Sequence, residues 1–122
     1  MTNFKRVVED YFAIWNEEVS ERRRALIAKT WTESASYLDP MLNGEGHDGI
    51  DRMIAAVHEK FPGHRFKPKG DIDSHADRIR FSWELVGPDG KGVGVAGTDF
   101  GVVAGDGRLA AVTGFLDQAP GA

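Results

Sequence analysis

The sequence predicts an α+β fold in which three helices collect on one face of an antiparallel sheet. Two observations predict it: apolar residues recur at helical spacing in three segments before residue 64, and after that point the period changes from 3.6 to two. At 122 residues the chain is expected to form one domain, residues 1–122, large enough to bury one hydrophobic core.

Phe4, Val7, Val8, Tyr11, Phe12 and Trp15 form one continuous helical stripe and predict the first helix. Ser20 is placed to cap a second helix that buries Leu26, Ile27, Thr30 and Trp31, with Arg22, Arg23 and Arg24 expected in solvent. The stretch SASYLDP, residues 34–40, then alternates as a strand with Ala35, Tyr37 and Asp39 on one face. NGEGHDG is a breaker-rich loop. Ile50, Met53, Ile54, Val57 and Phe61 mark a third helix, capped by His47 or Asp48 and stopped by Pro62 and Gly63.

RFKPKGDID reads as a weaker strand that Pro68 confines to an edge or a bulge. DRIRFSWELV alternates without interruption, with Ile79, Phe81, Trp83 and Leu85 on one face. GPDGKG supplies a turn, GVGVAGTDFGVV a strand, AGDG a tight turn and RLAAVTGFL a last strand, which completes an antiparallel meander.

Composition narrows the function. Hydrophobic residues make up 41% and charged residues 28%, as in folded water-soluble proteins. A formal net charge of −4 offers no attraction to nucleic acid or to anionic membrane surfaces. The chain has no cysteine, which excludes disulfides, thiolate metal sites and a cysteine nucleophile. Met1 leads directly into amphipathic sequence and no stretch reaches membrane-spanning length, so a cytoplasmic location is expected.

GVGVAG, residues 92–97, matches the letters of a dinucleotide fingerprint but leads into strand and not into a helix, so its glycines are read as curving the strand or clearing room beside it. The histidines at 47, 58, 64 and 75 have no metal-ligand spacing, and no metal or other cofactor is expected; His47 and His58 are placed to line a pocket mouth. Three polar residues stand out on apolar faces. Tyr11 lies within the first helix's stripe, either as a tethered core phenol or as a donor to a ligand oxygen. Asp99 is in phase with Val93, Val95, Gly97 and Val103; that face is either buried, which would raise the carboxyl's pKa, or solvated with Ala96, Phe100 and Val102 inside. Asp39, before Pro40, either caps a turn or works inside a cavity.

DYFAIWN on the first helix, WTESASYLDP, GHDGI opening a helix and GTDFGVVAGDGRLAAVTGF at the end together resemble the SnoaL-like branch of the nuclear transport factor 2-like superfamily. The resemblance covers nearly the whole chain and implies a cone-shaped barrel, a curved antiparallel sheet wrapped around three N-terminal helices, commonly a homodimer through the outer sheet face. At its polar residues the chain is similar to ketosteroid isomerase, whose helix-one tyrosine matches Tyr11, whose Asp-Pro base matches Asp39 and Pro40, and whose buried acid matches Asp99. In that enzyme an ionised aspartate is the base, and a tyrosine with a neutral aspartic acid forms the oxyanion hole. SnoaL-like polyketide cyclases are also similar. GTDFGVV is richer in glycine than the isomerase, and Trp15 and Trp31 fill space a steroid would need. Limonene epoxide hydrolase is similar in fold only, since its Arg-x-Asp is absent where Arg80 precedes Phe81 and Ser82.

The expectation is thus acid–base chemistry alpha to the carbonyl of a small apolar molecule. Asp39 is the expected base, Tyr11 and Asp99 the expected oxyanion donors, and Phe12, Trp15, Ile54, Val57, Phe81, Trp83 and Phe115 the expected apolar walls. A ligand-binding or dimerisation protein of the same fold is the alternative.

Overall fold

The computed structural model describes residues 3–119. Helices α1 (Phe4–Asn16) and α2 (Ser20–Thr30) lead to strand β1 (Trp31–Leu38), a short β2 (Asn43–Glu45) and helix α3 (Gly46–Lys60). Strands β3 (Arg65–His75), β4 (Arg78–Val86), β5 (Gly92–Val103) and β6 (Leu109–Gln118) follow. The six strands lie in the order β2-β1-β6-β5-β4-β3. Every junction is antiparallel except β1 with β6, which run parallel, so the sheet is mixed and, having two edges, curves without closing into a barrel.

Helix α1 starts where Asn3 Oδ1 accepts the Arg6 N–H at 3.1 Å, and it buries Val7, Val8, Tyr11, Phe12, Ile14 and Trp15. Helix α2 departs from expectation at both ends. Val19 occupies its cap position without a side-chain bond, Ser20 is already helical, and Trp31 turns extended to open β1. The arginine triplet splits, because Arg23 shares the inward face with Ile27 and Thr30. Arg23 is 3% exposed; its Nε donates to Asp51 Oδ1 at 2.6 Å and its guanidinium to the Glu17 carbonyl at 2.9 Å, fastening α2 to α3 and to the end of α1.

NGEGHDG, residues 43–49, is not a loop: Asn43–Glu45 form strand β2, which pairs Tyr37 with Gly44, and Gly46 opens helix α3. A side chain at Gly44 would stand 3.0 Å from the Gly49 carbonyl oxygen, so glycine is what lets α3 begin against the strand. Glu45 takes the cap position of α3 in place of His47 or Asp48, and no side chain caps it. The two pocket-mouth histidines are also placed elsewhere: His47 Nε2 meets the Trp31 carbonyl at 2.8 Å and His58 Nε2 the Trp15 carbonyl at 2.7 Å, each tying down a helix end.

β3 is an edge strand, as Pro68 requires, with its pairing interrupted between Lys69 and Asp73. β4 buries Ile79, Phe81, Trp83 and Leu85 against the helices. On β5 the two possible phases resolve with Gly97, Asp99, Gly101 and Val103 inward, while Phe100 on the opposite face is 39% exposed. Gly97 is needed there, since a Cβ would fall 2.5 Å from Trp83 Cζ2 and 2.6 Å from the Phe115 carbonyl oxygen. Among the described residues no helix is long and apolar enough to cross a membrane.

Candidate functional site

A cavity of about 430 Å³ opens between α1, α3 and the concave face of the sheet. Its walls are apolar: Phe12 and Trp15 from α1, Val57 and Phe61 from α3, and Phe66, Trp83, Leu85, Val95 and Leu116 from the strands. Burial orders it from floor to mouth. Tyr11 and Asp99 are each 2% exposed and Tyr37 is 4% exposed, whereas Met41 at the rim is 72% exposed.

Two tyrosine–aspartate pairs supply the polar groups of the cavity, Tyr11–Asp99 buried and Tyr37–Asp39 reaching towards the rim through the half-buried Asp39. The Tyr11 hydroxyl donates to Asp99 Oδ2 at 2.6 Å, and Trp83 Nε1–H donates to the other oxygen, Oδ1, at 3.1 Å. The Tyr37 hydroxyl donates to Asp39 Oδ2 at 2.6 Å, while Asp39 Oδ1 accepts the backbone N–H groups of Met41 at 2.8 Å and Leu42 at 2.7 Å. Each carboxylate is therefore anchored by N–H donors through one oxygen and faces a phenol with the other. The pairs converge over Gly114 on β6, where an added Cβ would lie 2.9 Å from Asp99 Oδ1, 3.0 Å from the Tyr37 hydroxyl and 3.1 Å from Asp39 Cβ.

This placement shifts the proton equilibria. Burial disfavours the charged carboxylate and pushes Asp99 up to about 6, reinforced by the charges of Asp39 and Asp117; the bonds from Tyr11 and Trp83 act in the opposite sense. Burial, then the Asp99 charge, raises Tyr11 well above the usual phenol value. Tyr37 is raised by burial, by the Asp99 charge and by its bond to Asp39. Both phenols stay protonated at neutral pH and act as donors.

Tyr11, Asp39 and Asp99, distant in sequence, thus line one cavity. For Asp39 the turn-capping and cavity readings are both true, because its two oxygens face different ways. Of the expected walls, Phe12, Trp15, Val57 and Trp83 line the cavity. Ile54 is fully buried in the core, outside the cavity lining. Phe81 also lies outside the lining; it packs edge-on against Tyr11 at 5.0 Å and against Phe12 at 5.7 Å. Phe115 is 59% exposed on the outer sheet face, because the strand period that turns Val112 and Gly114 inward turns it outward. Tyr37 joins the expected residues at the site, and the strand period that aligns it with Asp39 is the sequence signal for it. Among the described residues no group of three or more His, Asp or Glu is arranged to hold a metal.

No curated protein sequence matches the chain. A solved structure of a candidate isomerase of the SnoaL-like family from Agrobacterium tumefaciens superposes with a TM-score of 0.88 at 47% identity, covering 91% of this chain and 94% of that one. A candidate SnoaL-like polyketide cyclase from Jannaschia sp. CCS1 matches at a TM-score of 0.71 and 19% identity over 93% of this chain and 86% of its own, which shows shared fold. A de novo designed protein with a curved β-sheet matches comparably, with a TM-score of 0.69 at 14% identity over 93% of this chain and 84% of that one. The SnoaL-like domain profile matches residues 8–112. With that match spanning most of its length, and the Agrobacterium structure close in both sequence and fold, the chain belongs to the SnoaL-like domain family.

Proposed function

We propose that the protein catalyses proton transfer at the carbon alpha to a carbonyl of a small apolar molecule, as an isomerase or a cyclase does. The observation that carries this reading is the convergence of Tyr11–Asp99 and Tyr37–Asp39 in an otherwise apolar cavity. Similarity to the candidate isomerase of Agrobacterium tumefaciens supports it.

In this mechanism Asp39 is the base. A carboxylate offers roughly four acceptor positions, and the three donors on Asp39 leave one for the substrate proton. The electron pair of the broken C–H bond moves onto the carbonyl oxygen, which Tyr11 holds. Asp99 decides whether Tyr11 is free to do so. When Asp99 is ionised it accepts the Tyr11 hydrogen bond and holds the phenol O–H away from the substrate; when protonated it donates to the Tyr11 oxygen, and the phenol O–H turns towards the substrate. Such an oxyanion donor contributes about 3 kcal/mol in a water-poor site. Asp39 then returns the proton to a different carbon, or the enolate carbon bonds to a second carbonyl carbon of the same molecule, whose π electron pair moves onto its oxygen and takes the proton back from Asp39.

A panel of β,γ-unsaturated ketones and polyketide-like esters tests this, with the wild type compared against Asp39→Asn. The expected loss of rate in the variant is about 10²- to 10⁴-fold. Equal rates would remove Asp39 from the mechanism. A second reading, ligand binding without turnover, is favoured by the pairing of each phenol with a carboxylate, which satisfies the polar groups of the cavity with one another. Saturable binding with no product from any member of the panel would select it.

A further inference from the structure

The cavity's polarity is arranged end to end. Its buried end carries Tyr11, Asp99 and Tyr37, the half-buried Asp39 is bonded to Tyr37, and most of the remaining wall is apolar. Among the described lining residues one side chain is basic: Lys60, in the last turn of α3. Lys60 is exposed at the rim and has no ion pair or side-chain hydrogen bond among the described residues. Its place there follows from helical spacing. Ala56 also lines the cavity, one turn earlier in the same row.

We infer that the cavity takes a substrate with an anionic end, a carboxylate, which seats on Lys60 at the mouth while its carbonyl end reaches Tyr11 at the floor. The inference rests on the proposed carbonyl chemistry and adds a substrate class to it. Each part of such a keto acid meets its complement: the acceptor oxygen a phenol, the apolar body the aromatic walls, and the carboxylate a cation. The reverse orientation would set the carboxylate against Asp39 and Asp99, so the same charges fix which end enters first. A neutral ligand would use no interaction with Lys60, and a cationic one would be repelled at the mouth.

The test uses 6-acetyl-2-naphthoic acid and its neutral isostere 6-acetyl-2-naphthamide, with dissociation constants measured by calorimetry at pH 7. Wild type should bind the acid about two- to fivefold more tightly than the amide, the size of one exposed ion pair. Lys60→Met should abolish that preference by weakening the acid alone, and Lys60→Arg should keep it. Lys91→Met, which removes an equal charge in the β4–β5 turn away from the cavity, should leave the preference intact. A preference that survives in Lys60→Met, that falls equally in Lys91→Met, or that is missing in wild type while both probes bind, would overturn the inference and leave the carbonyl reading standing. Failure of both probes to bind would overturn the two together.

Discussion

Tyr11 and Asp99, separated by 88 positions in the sequence, are joined by a buried hydrogen bond of 2.6 Å. Replacing Tyr11 with Phe removes one of the two donors that oppose the upward shift of Asp99, so its titration should move above the present value of about 6. The measurement is the ¹³C chemical shift of the Asp99 carboxyl against pH. Loss of the bond should also cost about 1–3 kcal/mol of stability where Asp99 is ionised.

Stability should fall as pH rises through the range in which Asp99 ionises. Its folded value of about 6 stands above the ordinary 3.8, so between those values the folded protein binds more protons than the unfolded chain. The contribution is complete below pH 3.8 and is lost as pH rises through about 6. Asp99→Asn keeps an acceptor for Trp83 and does not titrate. Relative to wild type it should gain roughly 1–3 kcal/mol on passing from pH 4 to pH 7, read from urea unfolding at each pH.

Gly97→Ala should dislodge the Trp83 indole. The new methyl group would stand 2.5 Å from Cζ2 and 2.8 Å from Cε2 of the ring that carries the Nε1–H bonded to Asp99. Expected results are about 1–3 kcal/mol of destabilisation and a changed tryptophan emission spectrum in the folded state. At Gly114 the first atoms met are Asp99 Oδ1 and the Tyr37 hydroxyl, so Gly114→Ala should lower turnover of the ketone panel more than it lowers the unfolding midpoint.

The Arg23–Asp51 pair should behave as a buried one, with side chains only 4% and 6% exposed. Asp51→Ala leaves the Arg23 charge without its partner and should cost about 3–5 kcal/mol. A joint replacement, Arg23→Met with Asp51→Leu, should recover much of that loss, as a double-mutant cycle in urea would reveal.

How much of this was legible depends on whether the deciding contact is local. The stripe of α1 and the alternation of Ile79, Phe81, Trp83 and Leu85 announce their elements because each buries one continuous face. The parallel pairing of β1 with β6 and the short strand β2 depend on partners distant in sequence or hidden in a glycine-rich loop. On β5 both faces carry apolar residues, and only the sheet's curvature towards the helices shows that Asp99 points inward. At Phe115 hydrophobicity argues for burial, whereas the inward position on β6 belongs to Gly114, the residue that gives Asp99 and Tyr37 room to approach. Arg23 is the converse case: a charge reads as solvated from sequence, and its burial depends on a partner 28 positions away.

The most direct measurement is solvent deuterium exchange at the alpha carbon of cyclohex-3-enone, followed by ¹H NMR in D₂O. Wild type should accelerate exchange above buffer, Asp39→Asn should lose about 10²- to 10⁴-fold of that rate, and Tyr11→Phe about 10²- to 10³-fold. Exchange no faster than in buffer, or equally fast in wild type and Asp39→Asn, would contradict an acid–base role for the cavity's polar groups.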